Sequence, residues 1–249
     1  MTIQIIDYYN SEYWKKNRDY RKITREREKI AIKIINKIVK KNSKVLDTGC
    51  GEGNFMRRLI KISPNADVRG IELSKDAVKE AKKSRLNVTE GDLNNKIKFE
   101  KNFFDIIYCG EVIEHLYNPD AFLEEVHRVL NKEGYLIVTT PNLAAWFNRI
   151  LFLIGVQPVF LETSTKNALV GAGFIKKLRK LREPIGHIRV FTLSALKDIL
   201  DMNGFEILEV RGVIFEDGFP KFILPVDRLF SFFPSLSSQL VILAKKKES

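Results

Sequence analysis

Apolar positions in this 249-residue chain change period along its length. From about 10 to 41 the period is helical. Ile30, Ile34, Ile35 and Ile38 recur three or four residues apart, which predicts one or two amphipathic helices. Short apolar runs then alternate with amphipathic ones. Strands are predicted at 44–47, 68–72, 86–90, 103–108 and 135–139, and helices at 54–61, 75–83 and 119–130. Ser74 suits the cap of the second of these helices, Pro119 the opening of the third, and Asn131 with Gly134 its end. Strands alternating with helices build a mostly parallel sheet covered on both faces.

After 142 the alternation stops. A helix over 143–154 carries Trp146, Phe147, Ile150 and Leu151 on one side. The stretch 155–189 fits no βα unit. A helix is predicted at 192–203, with Gly204 in its C′ position, and two last strands at 205–210 and 239–244. That makes seven strands in an α/β fold. Between the last two, Phe219, Phe222, Phe230, Phe232 and Phe233 lie among Pro220, Pro225 and Pro234. The expected organisation is one domain over 1–249. It has an N-terminal helical cap (1–43), a core (44–142), and substrate-side insertions at 143–189 and 213–237 over the C-terminal edge of the sheet. Ligands bind at that edge in open α/β sheets.

Hydrophobic residues make up 45% of the chain, enough for a packed core. The net charge of +11 favours acidic partners, whether nucleic acid, anionic membrane or phosphorylated small molecules, or else describes a lysine-rich solvated surface. Two cysteines, Cys50 and Cys109, give no disulfide framework. The first residues lack a signal-peptide pattern, and the uncharged stretch 229–244 is short of a membrane span. The expectation is a cytoplasmic protein, at most peripheral to a membrane.

The segment Asp47-Thr48-Gly49-Cys50-Gly51-Glu52-Gly53 joins a buried strand to a helix. Its glycines allow close backbone approach to a ligand. The spacing is neither the G-x-G-x-x-G of dinucleotide sites nor the ending of a phosphate-binding P-loop. An acid at 47 suits the ammonium of an amino acid better than a phosphate. Here the sequence resembles the class I S-adenosylmethionine-dependent methyltransferases, over about 44–140. The resemblance implies their Rossmann-like fold with lid insertions. It also implies that the loop (Asp47, Gly49, Gly51, Gly53) contacts the methionine part of the cofactor. Glu72, at the end of the second strand, would accept the ribose hydroxyls, and Asp92 would bind the adenine amino group. Leu73 and Leu93 would sandwich the adenine, and Cys109 would be a small buried residue beside the cofactor.

After the fourth strand comes Cys109-Gly110-Glu111-Val112-Ile113-Glu114-His115. On a helical turn Glu111, Glu114 and His115 share one face. Two carboxylates and an imidazole there could bind a divalent ion, Mg²⁺ or Mn²⁺, with His187 as a further ligand. Two other readings stay open. The acids could cap or solvate a surface turn, or His115 or His187 could act as a metal-free general base. His127 reads as a surface residue. The E-x-x-E-H motif, with Thr139-Thr140-Pro141-Asn142, is similar to two methyltransferase branches: the quinone-biosynthesis O-methyltransferases and the small-RNA 3′-terminal 2′-O-methyltransferases. Neither is matched residue by residue over 143–189. The sequence lacks the N-P-P-Y or D-P-P-Y of base-amino methylation. The leading expectation is O-methylation of a small or lipid-like hydroxylated molecule. RNA 2′-O-methylation using a divalent metal is the alternative, and a non-catalytic cofactor-binding module is the third. The aromatic residues Tyr8, Tyr9, Tyr13 and Trp14 are expected to cap the cofactor or to pack on the sheet edge.

Overall fold

The structure is a computed structural model that describes residues 25–179, 182–216, 218 and 220–248. The aromatic cluster at Tyr8–Trp14 lies outside these residues. Seven strands form one sheet: β1 Lys44–Thr48, β2 Asp67–Glu72, β3 Asn87–Glu90, β4 Phe104–Gly110, β5 Leu130–Pro141, β6 Phe205–Val213 and β7 Gln239–Lys246. Their order is β3-β2-β1-β4-β5-β7-β6. The pairs among β1 to β5 are parallel. Only β7 runs antiparallel, between β5 and β6.

The strands bury both faces because their side chains alternate. In β4, Ile106 and Tyr108 join one core while Ile107 and Cys109 join the other. Helices α1 Glu26–Ile38, α2 Asn54–Ile62 and α3 Lys75–Lys83 cover the first face, through Ile34 and Ile35, Met56 and Leu59, and Val78 and Ala81. Helices α4 Pro119–Val129 and α6 Leu193–Met202 cover the second, through Phe122, Leu123, Val126, Leu196 and Leu200. Each of these side chains except Ala81 contributes about 1.5–3 kcal/mol by leaving water.

The helix starts are fixed by side chains. The hydroxyl of Ser74 accepts from the Ala77 N–H, Asn118 Oδ1 from Ala121 and Thr192 Oγ1 from Ala195. Gly204 follows α6 at φ +82°, a left-handed stop. Element ends shift by a few residues, the helix expected over 143–154 being Trp146–Leu153, and two departures have a clear physical reason. Leu130 leaves α4 because it already pairs with Phe104, so β5 begins there. A helix α7, Leu224–Ser231, stands where prolines and phenylalanines suggest only loop. Pro225 sits in its first turn, where a missing N–H costs nothing.

A third apolar cluster lies apart from the sheet. It joins α5 Trp146–Leu153 to the segment that follows, through Phe147, Leu151, Val159, Phe160, Ala172 and Ile175, with Phe215 from the chain beyond β6. His127 is not simply at the surface. It is half-buried, with its ring edge-on to Phe205 at 5.5 Å.

Candidate functional site

A cavity of ≈ 400 Å³ opens at the carboxyl ends of the strands. Its walls include the loops that leave β1 and β4, neighbouring strands whose chains continue to opposite sides of the sheet. Such a switch point is the natural crevice of an open α/β sheet.

The glycine loop forms one wall. Gly49 has φ +71°, and a Cβ there would stand 2.5 Å from Val112 Cγ2. Glycine at 49 therefore lets the chain leaving β4 close over the chain leaving β1. Gly49, Cys50 and Gly51 line the cavity. Gly53 does not; a Cβ there would collide with Leu86, so it serves the packing of α2. The Gly51 N–H donates to Glu72 Oε2 at 2.8 Å, and the Ser74 N–H donates to Oε1 at 2.8 Å. These two bonds orient the Glu72 carboxylate. Leu73, Asp92 and Leu93 line the wall beside it. Asp92 Oδ1 accepts from the Asn94 N–H at 2.9 Å. Cys109 is not on the cavity surface. The alternation of β4 turns it into the core under the sheet, where burial pushes its thiol pKa up.

Asp47 is 3% exposed, and its Oδ2 has no hydrogen-bond partner among the described residues. Burial raises its pKa well above the usual carboxylate value, and the charges of Glu28 and Glu72 add to this. An orphaned carboxylate oxygen in a cavity wall costs about 1–3 kcal/mol or more unless a cationic ligand meets it.

The loop after β4 forms the second wall, and it is not the helical turn expected from the sequence. Glu111 takes a left-handed φ of +55°, and only Ile113–His115 coil, as a short 3-10 turn. Glu111 takes partners of its own. Its Oε1 accepts from Thr139 Oγ1 at 3.0 Å and lies 3.5 Å from Arg27 Nε, while its Oε2 accepts from Gln239 Nε2 at 3.2 Å. The structure instead gathers Glu114, His115 and His187, whose ligating atoms all lie within 4.8 Å of one another. Glu114 is fully buried. Its Oε2 accepts from Thr140 Oγ1 at 3.0 Å, and its Oε1 has no partner among the described residues. Burial, reinforced by Glu111, holds its pKa well above normal.

Both histidines are oriented by backbone carbonyls. His115 Nδ1 donates to Gly186 O and His187 Nδ1 to Phe160 O, each at 3.0 Å. A carbonyl only accepts, so Nε2 is the unprotonated nitrogen of each ring. Burial lowers both pKa values to about 4, and for His115 the neighbouring His187 lowers it further. Both are neutral at pH 7. Carbonyl-anchored neutral imidazoles beside a buried carboxylate form a donor set that could hold a divalent ion.

The third wall comes from the segment after α5. Glu162 accepts the N–H groups of Ile185 (2.8 Å), Gly186 (2.8 Å) and His187 (3.2 Å). It thereby shapes the loop that presents His187 and holds His115. Val159, Phe160 and Phe215 give this wall an apolar surface, and Arg179 lies in it. Sequence patterning does not single out Glu162, Arg179, Arg27 or Gln239, because each acts through long-range contacts.

Residues 39–180, more than half of the chain, match the family described as "Methyltransferase domain". The ubiquinone biosynthesis O-methyltransferase of Pelagibacter ubique is 32% identical over 106 residues, covering 41% of this chain and 43% of that protein. A malonyl-[acyl-carrier protein] O-methyltransferase of Herminiimonas arsenicoxydans is 31% identical over 136 residues, 52% of each protein. The matches thus span about half or less of these relatives' lengths. A solved S-adenosylmethionine-dependent methyltransferase from Archaeoglobus fulgidus superposes with a TM-score of 0.61 over 95% of this chain and 100% of that one, at 18% identity. That likeness is one of fold. Sheet order, glycine-loop cavity and family match agree, and the chain belongs to the class I S-adenosylmethionine-dependent methyltransferases.

Proposed function

We propose that this enzyme transfers the methyl group to a hydroxyl of a small or lipid-like molecule. The observation that carries this reading is the cluster of Glu114, His115 and His187, set beside the glycine loop in one cavity. The cofactor fits the first wall. When bound, its ammonium would be held by the orphaned Asp47 Oδ2, its ribose hydroxyls by Glu72 and its adenine amino group by Asp92, with Leu73 and Leu93 against the adenine. Its sulfonium supplies an activated methyl group. The protein aligns the acceptor oxygen behind that carbon and removes the oxygen's proton.

His187 Nε2 is an acceptor for that proton, and the Phe160 carbonyl fixes its tautomer. The cluster also fits a divalent ion. Glu114 Oε1 and the two Nε2 atoms would hold it, and when bound it would lower the acceptor hydroxyl's pKa. Glu111 is not among the ligating atoms gathered there, and its oxygens accept from Thr139 and Gln239. The two relatives are named for O-methylation in ubiquinone biosynthesis and of malonyl-[acyl-carrier protein], which favours small or lipid-like acceptors over RNA. A module that only binds cofactor would show no turnover at all.

The test is methyl transfer from labelled cofactor to catechol-type acceptors. In a Glu114→Gln variant, which takes the raised Glu114 pKa out of the profile, the residual kcat at saturating cofactor is expected to fall as pH drops through about 4, where the two histidines take up protons. Protonated imidazole is neither base nor ligand, so the loss lies on the acid side. An acid limb near 6.5, the ordinary histidine value, would contradict a buried neutral pair.

A lipid-like acceptor is supported by the outer face of the insertions. Helices α5 and α7 pack together through stacked Trp146 and Phe230, 5.2 Å apart. They leave Leu153 87% and Phe232 76% exposed. No helix among the described residues is long and apolar enough to cross a membrane. Attachment at a bilayer surface is the reading of this face. Sedimentation with phosphatidylglycerol vesicles is expected for the wild type and reduced about tenfold in a Leu153→Ser, Phe232→Ser double variant, an estimate from lost apolar burial. Equal sedimentation of both proteins would remove this face from membrane binding.

A further inference from the structure

Arg179 has no place in the chemistry described so far. It is 7% exposed, follows the 3-10 turn Gly173–Lys177, and lies in the third wall of the cavity. Its Nη1 donates to Ala168 O and its Nη2 to Val159 O, each at 2.9 Å. Both acceptors are neutral. A guanidinium carries five N–H donors, so these bonds leave three unused. Glu162 is the carboxylate that influences it most, yet the oxygens of Glu162 are taken by the N–H groups of 185–187, and it makes no ion pair with Arg179. Among the described residues no anion pairs with it; a buried unpaired cation is costly, and arginine is the side chain suited to binding planar oxyanions.

Val159 and Phe160 relate this cation to the reactive centre. The Val159 carbonyl holds Arg179, and the next carbonyl, Phe160, holds His187. Consecutive residues are about 3.8 Å apart. We infer that Arg179 anchors an anionic oxygen group, a carboxylate or phosphate, carried by the methyl acceptor roughly one aromatic ring away from the hydroxyl that reacts. Val159, Phe160 and Phe215 supply apolar surface for what lies between. This narrows the substrate class and rests on the O-methylation reading above.

The test is calorimetric titration of the enzyme loaded with S-adenosylhomocysteine, using 3,4-dihydroxybenzoate and its uncharged amide, with phenyl phosphate and benzoate as simple anions. In the wild type the acid is expected to bind at least tenfold more tightly than the amide. Arg179→Gln should abolish that preference by weakening the acid and leave the affinity for amide and S-adenosylhomocysteine unchanged. Arg179→Lys should retain part of it. Comparing phenyl phosphate with benzoate shows which anion the site takes. Equal binding of acid and amide by the wild type overturns the proposal, as does failure of every anion to bind. So does a Gln variant that weakens acid and amide alike, the mark of a merely structural arginine. If the Gln variant does not fold, the wild-type preference and the Lys variant decide. Arg179-dependent binding without methyl transfer would uphold the anion site and sink O-methylation of these hydroxyls. Methyl transfer without charge preference would do the reverse.

Discussion

Replacing Glu114 by Gln is expected to lower turnover by about 10²–10⁴-fold, the range for loss of a positioned proton-transfer or charge-stabilising group, with the affinity for S-adenosylhomocysteine unchanged. The amide keeps the side chain's shape and can still accept from Thr140 Oγ1. What disappears is the capacity to ionise at an oxygen that nothing else in the described protein satisfies. Mn²⁺ binding followed by EPR separates the two roles. Tight binding in the wild type that is lost in the variant assigns Glu114 to a metal. Lost turnover without Mn²⁺ binding by either protein assigns it to proton handling. Equal turnover would remove Glu114 from the chemistry. The same change should raise the melting temperature of the ligand-free protein by a few degrees, at about 2–4 °C per kcal/mol. The sign follows from the raised pKa: the folded state binds a proton that the unfolded state releases. That cost is absent below the unfolded pKa and grows as pH rises toward the folded one. The variant's advantage should therefore widen with pH.

Asp47→Asn is expected to weaken S-adenosylhomocysteine binding by about 10–100-fold, corresponding to about 1.5–3 kcal/mol for a charged hydrogen bond. Its carboxylate is buried, raised in pKa and short of one partner, so a cationic ligand atom relieves several costs at once. Wild-type affinity should rise with pH above the ordinary carboxylate range, because binding expels a proton from Asp47. Titrations in two buffers of different ionisation heat would count that proton. The Asn variant should show neither the rise nor the proton. Affinity within twofold of wild type would place the ammonium elsewhere.

Much of this was legible in the chain because it depends on local signals. Ser74, Pro119 and Gly204 mark helix ends wherever they fall, and the glycine loop shows itself by spacing. Glu111 misleads for a definite reason. The i, i+3, i+4 argument assumes an α-helix from 111, while the backbone there is left-handed and tied to Thr139 O. Arg179 sits in a basic run that reads as solvated surface, and only the folding of 155–179 over the sheet edge buries it. Helix α7 was hidden by prolines, one of which is its natural opening. Its register is set by Asp227, buried and bonded to Trp146 Nε1 and to the Phe215 N–H, partners 81 and 12 residues away.

The third apolar cluster has a consequence for descent. Phe147, Val159, Phe160 and Ile175 pack with one another and belong to neither core of the sheet. Substitutions among them can reshape the acceptor half of the cavity without loosening the strands that carry Asp47 and Glu72. Selection can thus explore new acceptors in one compartment while the cofactor half stays fixed, and sequence likeness to other branches should decay fastest where the roof is built.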